Sequence, residues 1–140
     1  AGKICPTAKP YSDDPNVPQA DLIPPHEWTE GIKNIAEYAR FLGRELMGVE
    51  VVVKLVRAGN NFLACYGNRK LDLNLTTLDW KWFDQGATEA VDRLLLHEFG
   101  HQYTGDHLSE DYHEALCRLG ARLKRLALEK PEELKRFLRV

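Results

Sequence analysis

The fold is decided by the stretch AVDRLLLHEFGH, residues 90–101. Apolar residues recur around most of its circumference, which predicts a largely buried helix. His97 and His101 are four positions apart, so their imidazoles stand one turn apart on one face, and Glu98 directly follows the first. Because three such side chains are costly to bury without a partner, the stretch indicates a metal site.

The pattern His-Glu-x-x-His is typical of zinc hydrolases. Both imidazoles can bind one Zn²⁺ ion, while Glu98 is rotated by about 100° around the helix and reaches the water rather than the metal. Zinc acidifies that water and polarises a carbonyl group. We therefore expect Glu98 to act as general base, taking the proton and passing it to the leaving amine.

A third zinc ligand is expected beyond the end of this helix. Gly105 can stop the helix and reverse the chain, so that His107 returns to complete a site with three protein ligands. The competing ligands are the carboxylates of Asp106, Glu110 and Glu114.

The stretch HEFGHQYTGDHLSEDYHEALCRLG, residues 97–120, resembles the short-spacer zincin metallopeptidases of the SprT, WLM and YgjP-like kind. Their motif positions are held here by His97, Glu98, His101, His107, Ser109 and Tyr112. The histidine spacing also matches that of metzincins. However, the usual metzincin glycine is Thr104 here, and the only methionine, Met47, precedes the motif, so no methionine turn is present.

The resemblance implies a zinc-dependent metallopeptidase that hydrolyses peptide bonds in a peptide or protein substrate. Peptidases of this type bind substrate along an edge strand ahead of the zinc helix, and either residues 62–66 or residues 70–75 could be that strand. A fainter similarity links residues 71–123 with C-terminal portions of bacterial proteins that also carry an Hsp90-like ATPase domain. We therefore expect that the chain can be part of a larger protein.

Several residues near the motif are candidates for supporting roles. Tyr112, Tyr103 and His113 could donate to an oxyanion, although Tyr112 opens an apolar helical stripe and a packing role is the preferred interpretation. Acceptors that orient the zinc-binding imidazoles could come from Asp106, Glu110, Asp111 and Glu114.

The remaining pattern predicts an α+β, zincin-like fold. An amphipathic helix starts near Pro24-Pro25 and stops at Gly48, with the stripe Trp28, Ile32, Ile35, Ala39, Leu42 and Leu46. Apolar runs at 49–57, 62–66 and 71–75 with turn residues between them predict a three-stranded, mainly antiparallel meander. Thr76 or Thr77 could cap a short helix, followed by the zinc helix at 88–103.

The last third of the chain is predicted to be helical. Ser109 is the expected cap of a long helix with the stripe Tyr112, Leu116, Leu119, Leu123 and Leu126, and Pro131 begins a final turn or two. Trp80, Trp82 and Phe83 are interpreted as core or lid packing rather than as a specificity pocket.

Length and composition predict one domain. The chain has 140 residues, of which 44% are hydrophobic, enough for one core at 25–140. Six of the seven prolines lie within the first 25 residues, so residues 1–24 are interpreted as an extended arm or linker. No apolar run is long enough to cross a bilayer, and no secretory signal is recognisable.

The cysteines predict a reducing environment. Cys5, Cys65 and Cys117 are an odd number without metal-finger spacing, which favours free thiols and a cytoplasmic protein. A less favoured hypothesis has Cys5 inhibit the site by binding zinc, the alternative being a free thiol in a loose tail.

The charge is nearly balanced overall but uneven along the chain. The net charge is −2; residues 118–140 hold eight Lys or Arg against three Asp or Glu. Because SprT-like proteases act on protein attached to DNA, Arg118, Arg122 and Arg125 could contact nucleic acid, although a solvated helix face is the preferred interpretation.

Two other function classes remain open beside the zinc peptidase. One is a different zinc amidohydrolase such as a deformylase, in which Cys65 would be the third ligand, although the deformylase loop around that cysteine is not reproduced. The other is a non-enzymatic, metal-stabilised interaction domain, against which the intact Glu98 argues.

Overall fold

The computed structural model describes residues 21–59, 62–104 and 108–139. Within these ranges the chain is α+β, as expected, with a four-stranded sheet and five α-helices. The strands are β1 (Asp21–Ile23), β2 (Val52–Arg57), β3 (Ala64–Gly67) and β4 (Lys70–Asn74). The helices are α1 (Glu30–Leu42), α2 (Leu75–Asp84), α3 (Glu89–Phe99), α4 (Glu110–Glu129) and α5 (Pro131–Lys135).

The sheet is mixed, with the order β1-β2-β4-β3, so the predicted three-stranded meander is wrong. β2 pairs with β4 in parallel, whereas the β1–β2 and β3–β4 pairs are antiparallel. The register places Val53 beside Leu71 and Leu55 beside Leu73, and all four side chains are buried. β2 and β4 lie in the middle of the sheet, where these apolar side chains are buried. β3 therefore lies at one edge of the sheet.

The last residues of the predicted extended arm lie on the sheet. Residues 21–23 form β1 and pair with β2. The Trp28 indole N–H donates to the Ile23 carbonyl at 2.9 Å and ties this strand to the chain entering α1. Residues 1–20, including Cys5, lie outside the described residues.

The first helix follows its predicted stripe. The Thr29 hydroxyl caps α1 by accepting from the Ile32 N–H at 3.2 Å. After α1 a wider helical turn, Gly43–Met47, continues to Gly48, as expected, and Gly48 has a φ of 67°. This left-handed conformation is readily adopted by glycine and ends the helix.

Asn74 organises the junction between β4 and α2. Its side chain is fully buried and makes four hydrogen bonds: it accepts from the Ala58 and Thr76 N–H groups and donates to the Gly59 and Phe62 carbonyls. Asn74 therefore caps α2, where Thr76 or Thr77 was expected. An amide both donates and accepts, so one side chain can serve the helix and the neighbouring loop together.

Replacing Asn74 by Ala should lower the free energy of unfolding by roughly 3 kcal/mol, because buried donors and acceptors lose their partners. Urea unfolding monitored by circular dichroism measures this loss. The matched control is Asn34→Ala, which removes a single hydrogen bond of 2.8 Å to the Phe137 carbonyl and should cost about 1 kcal/mol. Equal losses in the two variants would contradict the organising role of Asn74.

The C-terminal half is built around α3 and α4. The Thr88 hydroxyl caps α3 by accepting from the Val91 N–H. The Ser109 hydroxyl caps α4 by accepting from the Tyr112 N–H, and this cap was predicted. Of the predicted α4 stripe, Tyr112, Leu119 and Leu126 are buried, and Pro131 begins α5, as expected. None of the helices in the described ranges is both long and apolar enough to cross a membrane.

Candidate metal and catalytic site

The predicted zinc helix brings its three motif residues together at the edge of the sheet. α3 ends at Phe99 and continues as a tighter turn, Gly100–Gln102, so His97 and His101 lie on different types of helical turn. Their rings nevertheless stay adjacent, with centroids 5.8 Å apart and planes at 86°. His97 Nε2 lies 3.8 Å from Glu98 Oε2.

Glu98 is a buried carboxylate in contact with β3. Only 5% of the residue is exposed, and the backbone N–H of Tyr66 donates to its carboxylate. Burial raises the pKa of Glu98 to about 8, and the hydrogen bond from Tyr66 partly offsets that rise. Its Oε1 atom has no hydrogen-bond partner among the described residues. Such a buried polar atom costs free energy unless a ligand or water completes it.

The orientation of Tyr66 follows from the register of the sheet. The Asn74 N–H donates to the Leu63 carbonyl at 3.0 Å, so the backbone carbonyl of Leu63 points toward β4. In an antiparallel pair, the backbone groups of successive residues point alternately toward and away from the partner strand. The backbone groups of Ala64 and Tyr66 therefore point away from β4, toward the outer side of β3. That is the side from which Tyr66 reaches Glu98.

The ring of His101 is oriented by the backbone. Its Nδ1 lies 3.1 Å from the carbonyl oxygen of Thr104. This contact fits the tautomer in which Nδ1–H donates to the carbonyl and Nε2 carries the lone pair that a metal requires. The expected orienting groups were side-chain carboxylates, and sequence patterns carry no signal for a carbonyl in this position.

Tyr112 packs beneath both imidazoles. Its ring centroid lies 5.8 Å from that of His97 and 5.3 Å from that of His101, and its hydroxyl donates to the His97 carbonyl at 2.7 Å. Burial and the charge of Glu98 raise the pKa of Tyr112 to about 12, so the hydroxyl remains a donor. These contacts agree with the packing interpretation of this residue.

Gly100 allows this close packing. A Cβ atom on Gly100 would lie 2.6 Å from Tyr112 Cε1 and 3.3 Å from Leu116 Cδ2. The glycine inside the motif therefore lets α4 approach the end of α3 closely enough for Tyr112 to contact the two histidines.

The other predicted site residues are not assembled in the described part of the chain. Glu110, Asp111 and Glu114 are exposed on α4. Within the described ranges, no group of three or more His, Cys, Asp or Glu side chains is positioned to hold a metal ion, and Glu110 and Glu114 stay predictions as third ligands. Asp106 and His107 lie outside the described residues, and His107 stays a prediction.

The expectation of reduced cysteines is wrong for Cys65, which is disulfide-bonded, whereas Cys117 is a free, exposed thiol. A disulfide sulfur is not a thiolate and cannot bind zinc as a deformylase cysteine does. The deformylase-like alternative therefore loses its third ligand. The support that the cysteines gave to a cytoplasmic location is removed as well.

Two of the basic residues of α4 contact other parts of the protein. Arg122 Nη1 donates to the Leu46 carbonyl at 2.7 Å, and the Arg118 guanidinium lies 5.9 Å from the centre of the Tyr103 ring. Arg125 is exposed. The structure thus gives Arg122 a role in packing α4 against the end of the first helix.

A scan against models of known protein families, a search of curated proteins and a search of solved structures found no match to this chain.

Replacing Gly100 by Ala should lower the free energy of unfolding by about 1–3 kcal/mol, because the new methyl group overpacks against Tyr112. The control is Gly120→Ala, where a Cβ would meet nothing within 4 Å. Because alanine favours helix more than glycine, the control should be stabilised by up to about 1 kcal/mol. Urea unfolding measures the free energy of unfolding of both variants. If both were more stable than the parent protein, the close approach at Gly100 would be contradicted.

Proposed function

We propose that this chain is a zinc-dependent peptidase whose general base is Glu98. The observation that carries the proposal is the buried carboxylate, with one unpartnered oxygen, beside the imidazoles of His97 and His101. A purely structural helix has no use for an acid buried in this way, because an apolar residue would stabilise it more.

The donor set fits zinc. Imidazole nitrogens are among its preferred ligands, and the Thr104 carbonyl leaves His101 Nε2 as the coordinating atom. Zinc held by the two histidines would acidify water and polarise a carbonyl group. His107 is the proposed third ligand, on the sequence pattern alone.

The protein's own groups would divide the remaining work. Glu98 Oε1, which no described residue satisfies, is the atom that would accept a proton and later release it to the leaving amine. The Tyr66 N–H would hold the Glu98 carboxylate in place by donating a hydrogen bond to it. Tyr112 orients the backbone of His97 from below.

The proposed substrate is an extended peptide. β3 is an edge strand of the sheet, the position at which a peptide strand can be added. Of the two strands considered above, β4 is internal, so β3 is the strand available for this pairing.

Purified protein should bind about one zinc ion per chain. His97→Ala, His101→Ala and His107→Ala should each weaken binding by more than about 100-fold, since even the loss of a residue that only orients a ligand costs about 10–100-fold. Mass spectrometry of the metal after dialysis against graded chelator measures this. His26→Ala, on an exposed side chain, is the control and should bind normally. Unchanged binding by His107→Ala would exclude the proposed third ligand.

The zinc-loaded protein should hydrolyse unfolded casein, and Glu98→Gln should lower the rate by about 10²–10⁴-fold without loss of zinc, because it removes the base alone. Glu129→Gln, at the exposed end of α4, is the matched control. Hydrolysis that survives in Glu98→Gln would refute the assigned role of this residue.

A further inference from the structure

A cleft of about 590 Å³ opens beside Glu98 and His97. This volume lies within the range of small-molecule and peptide side-chain pockets. Its walls are mainly apolar and come from α2, α3, α4 and the residue just before β3. The apolar lining residues include Leu63, Leu78, Trp82, Leu94, Leu96 and Leu116. The cleft therefore offers an apolar surface directly next to the proposed reacting groups.

One cation lies among these walls. Arg93 lines the cleft and is exposed, and in the described ranges it forms no ion pair with a carboxylate. Every other lining residue apart from His97 and Glu98 is apolar. An arginine fork at an otherwise apolar cleft is suited to bind a carboxylate through two hydrogen bonds.

The spacing from Arg93 to the proposed catalytic groups is that of a short peptide. Arg93 and His97 are four residues apart in α3, so they share a helix face and are separated by about 6 Å along the axis. An extended peptide advances about 3.3–3.6 Å per residue. A carboxylate bound by Arg93 would thus lie about two residues from the bond next to His97 and Glu98.

We propose that this cleft selects peptides in which a large apolar residue is followed by a carboxylate. The apolar side chain would fill the cleft and the carboxylate would pair with Arg93. This specificity rests on the proposed peptidase function. The carboxylate has two possible sources, the C-terminus of the peptide or an acidic side chain, and both present the same group to Arg93.

The test is binding of three synthetic peptides to zinc-loaded Glu98→Gln, measured by calorimetry so that no turnover is needed. The peptides are acetyl-Ala-Ala-Leu-Ala with a free C-terminus, the same peptide with a C-terminal amide, and acetyl-Ala-Ala-Leu-Glu-Ala-amide. The free acid, the Glu peptide or both should bind at least about 10-fold more tightly than the amide, as expected for a charge-assisted pair. Replacing Leu by Ser should weaken binding by about 10-fold or more.

Arg93→Gln in the same background should abolish the preference for the carboxylate, whereas Arg125→Gln, exposed on α4, should retain it. Tight binding of the Glu peptide would identify an acidic side chain as the carboxylate source, and weak binding would identify the C-terminus. A preference that survives in Arg93→Gln overturns the proposal, since the zinc ion would then account for it. Absent or equal binding of all three peptides also overturns it.

These outcomes are separate from those of the peptidase proposal. If casein is hydrolysed in a Glu98-dependent manner but Arg93→Gln binds all peptides as its parent does, the specificity fails and the peptidase function stands. If the peptides bind as expected but the wild-type protein cleaves none of them and no casein, the peptidase function fails and the carboxylate-binding cleft stands.

Discussion

The buried contact between the Glu98 carboxylate and the Tyr66 N–H is the constraint around which the site is arranged. It links α3 to the edge strand of the sheet. The hydrogen bond from Tyr66 offsets only part of the free energy that burial of the carboxylate costs, because Oε1 has no partner among the described residues. Buried carboxylates with perturbed pKa values are concentrated at functional sites. This contact therefore connects the fold to the proposed chemistry.

Close packing on the other side of α3 complements that constraint. Gly100 admits the ring of Tyr112, which contacts both histidines and donates to the His97 carbonyl. α3 is thereby held between a strand and a helix. Such support from rigid elements is what a metal site needs if its ligands are to keep their geometry.

The opposite faces of α3 serve different purposes. Val91, Leu95 and Phe99 are buried in the core, whereas Arg93 and His97 lie along the cleft. One helix therefore anchors the fold and lines the cleft.

Local patterns in the sequence were enough to determine the α+β class, the course of α1, α3 and α4, and the pairing of His97 with His101, because helix periodicity and caps depend on neighbours within a few residues. Only the tertiary structure decided the parallel pairing of β2 with β4, the capping of α2 by Asn74, and the burial of Glu98 against Tyr66. These depend on strand register and on backbone groups far apart in the chain, for which side-chain periodicity carries no signal. The same holds for the cleft beside Arg93, whose apolar walls come from residues far apart in the chain.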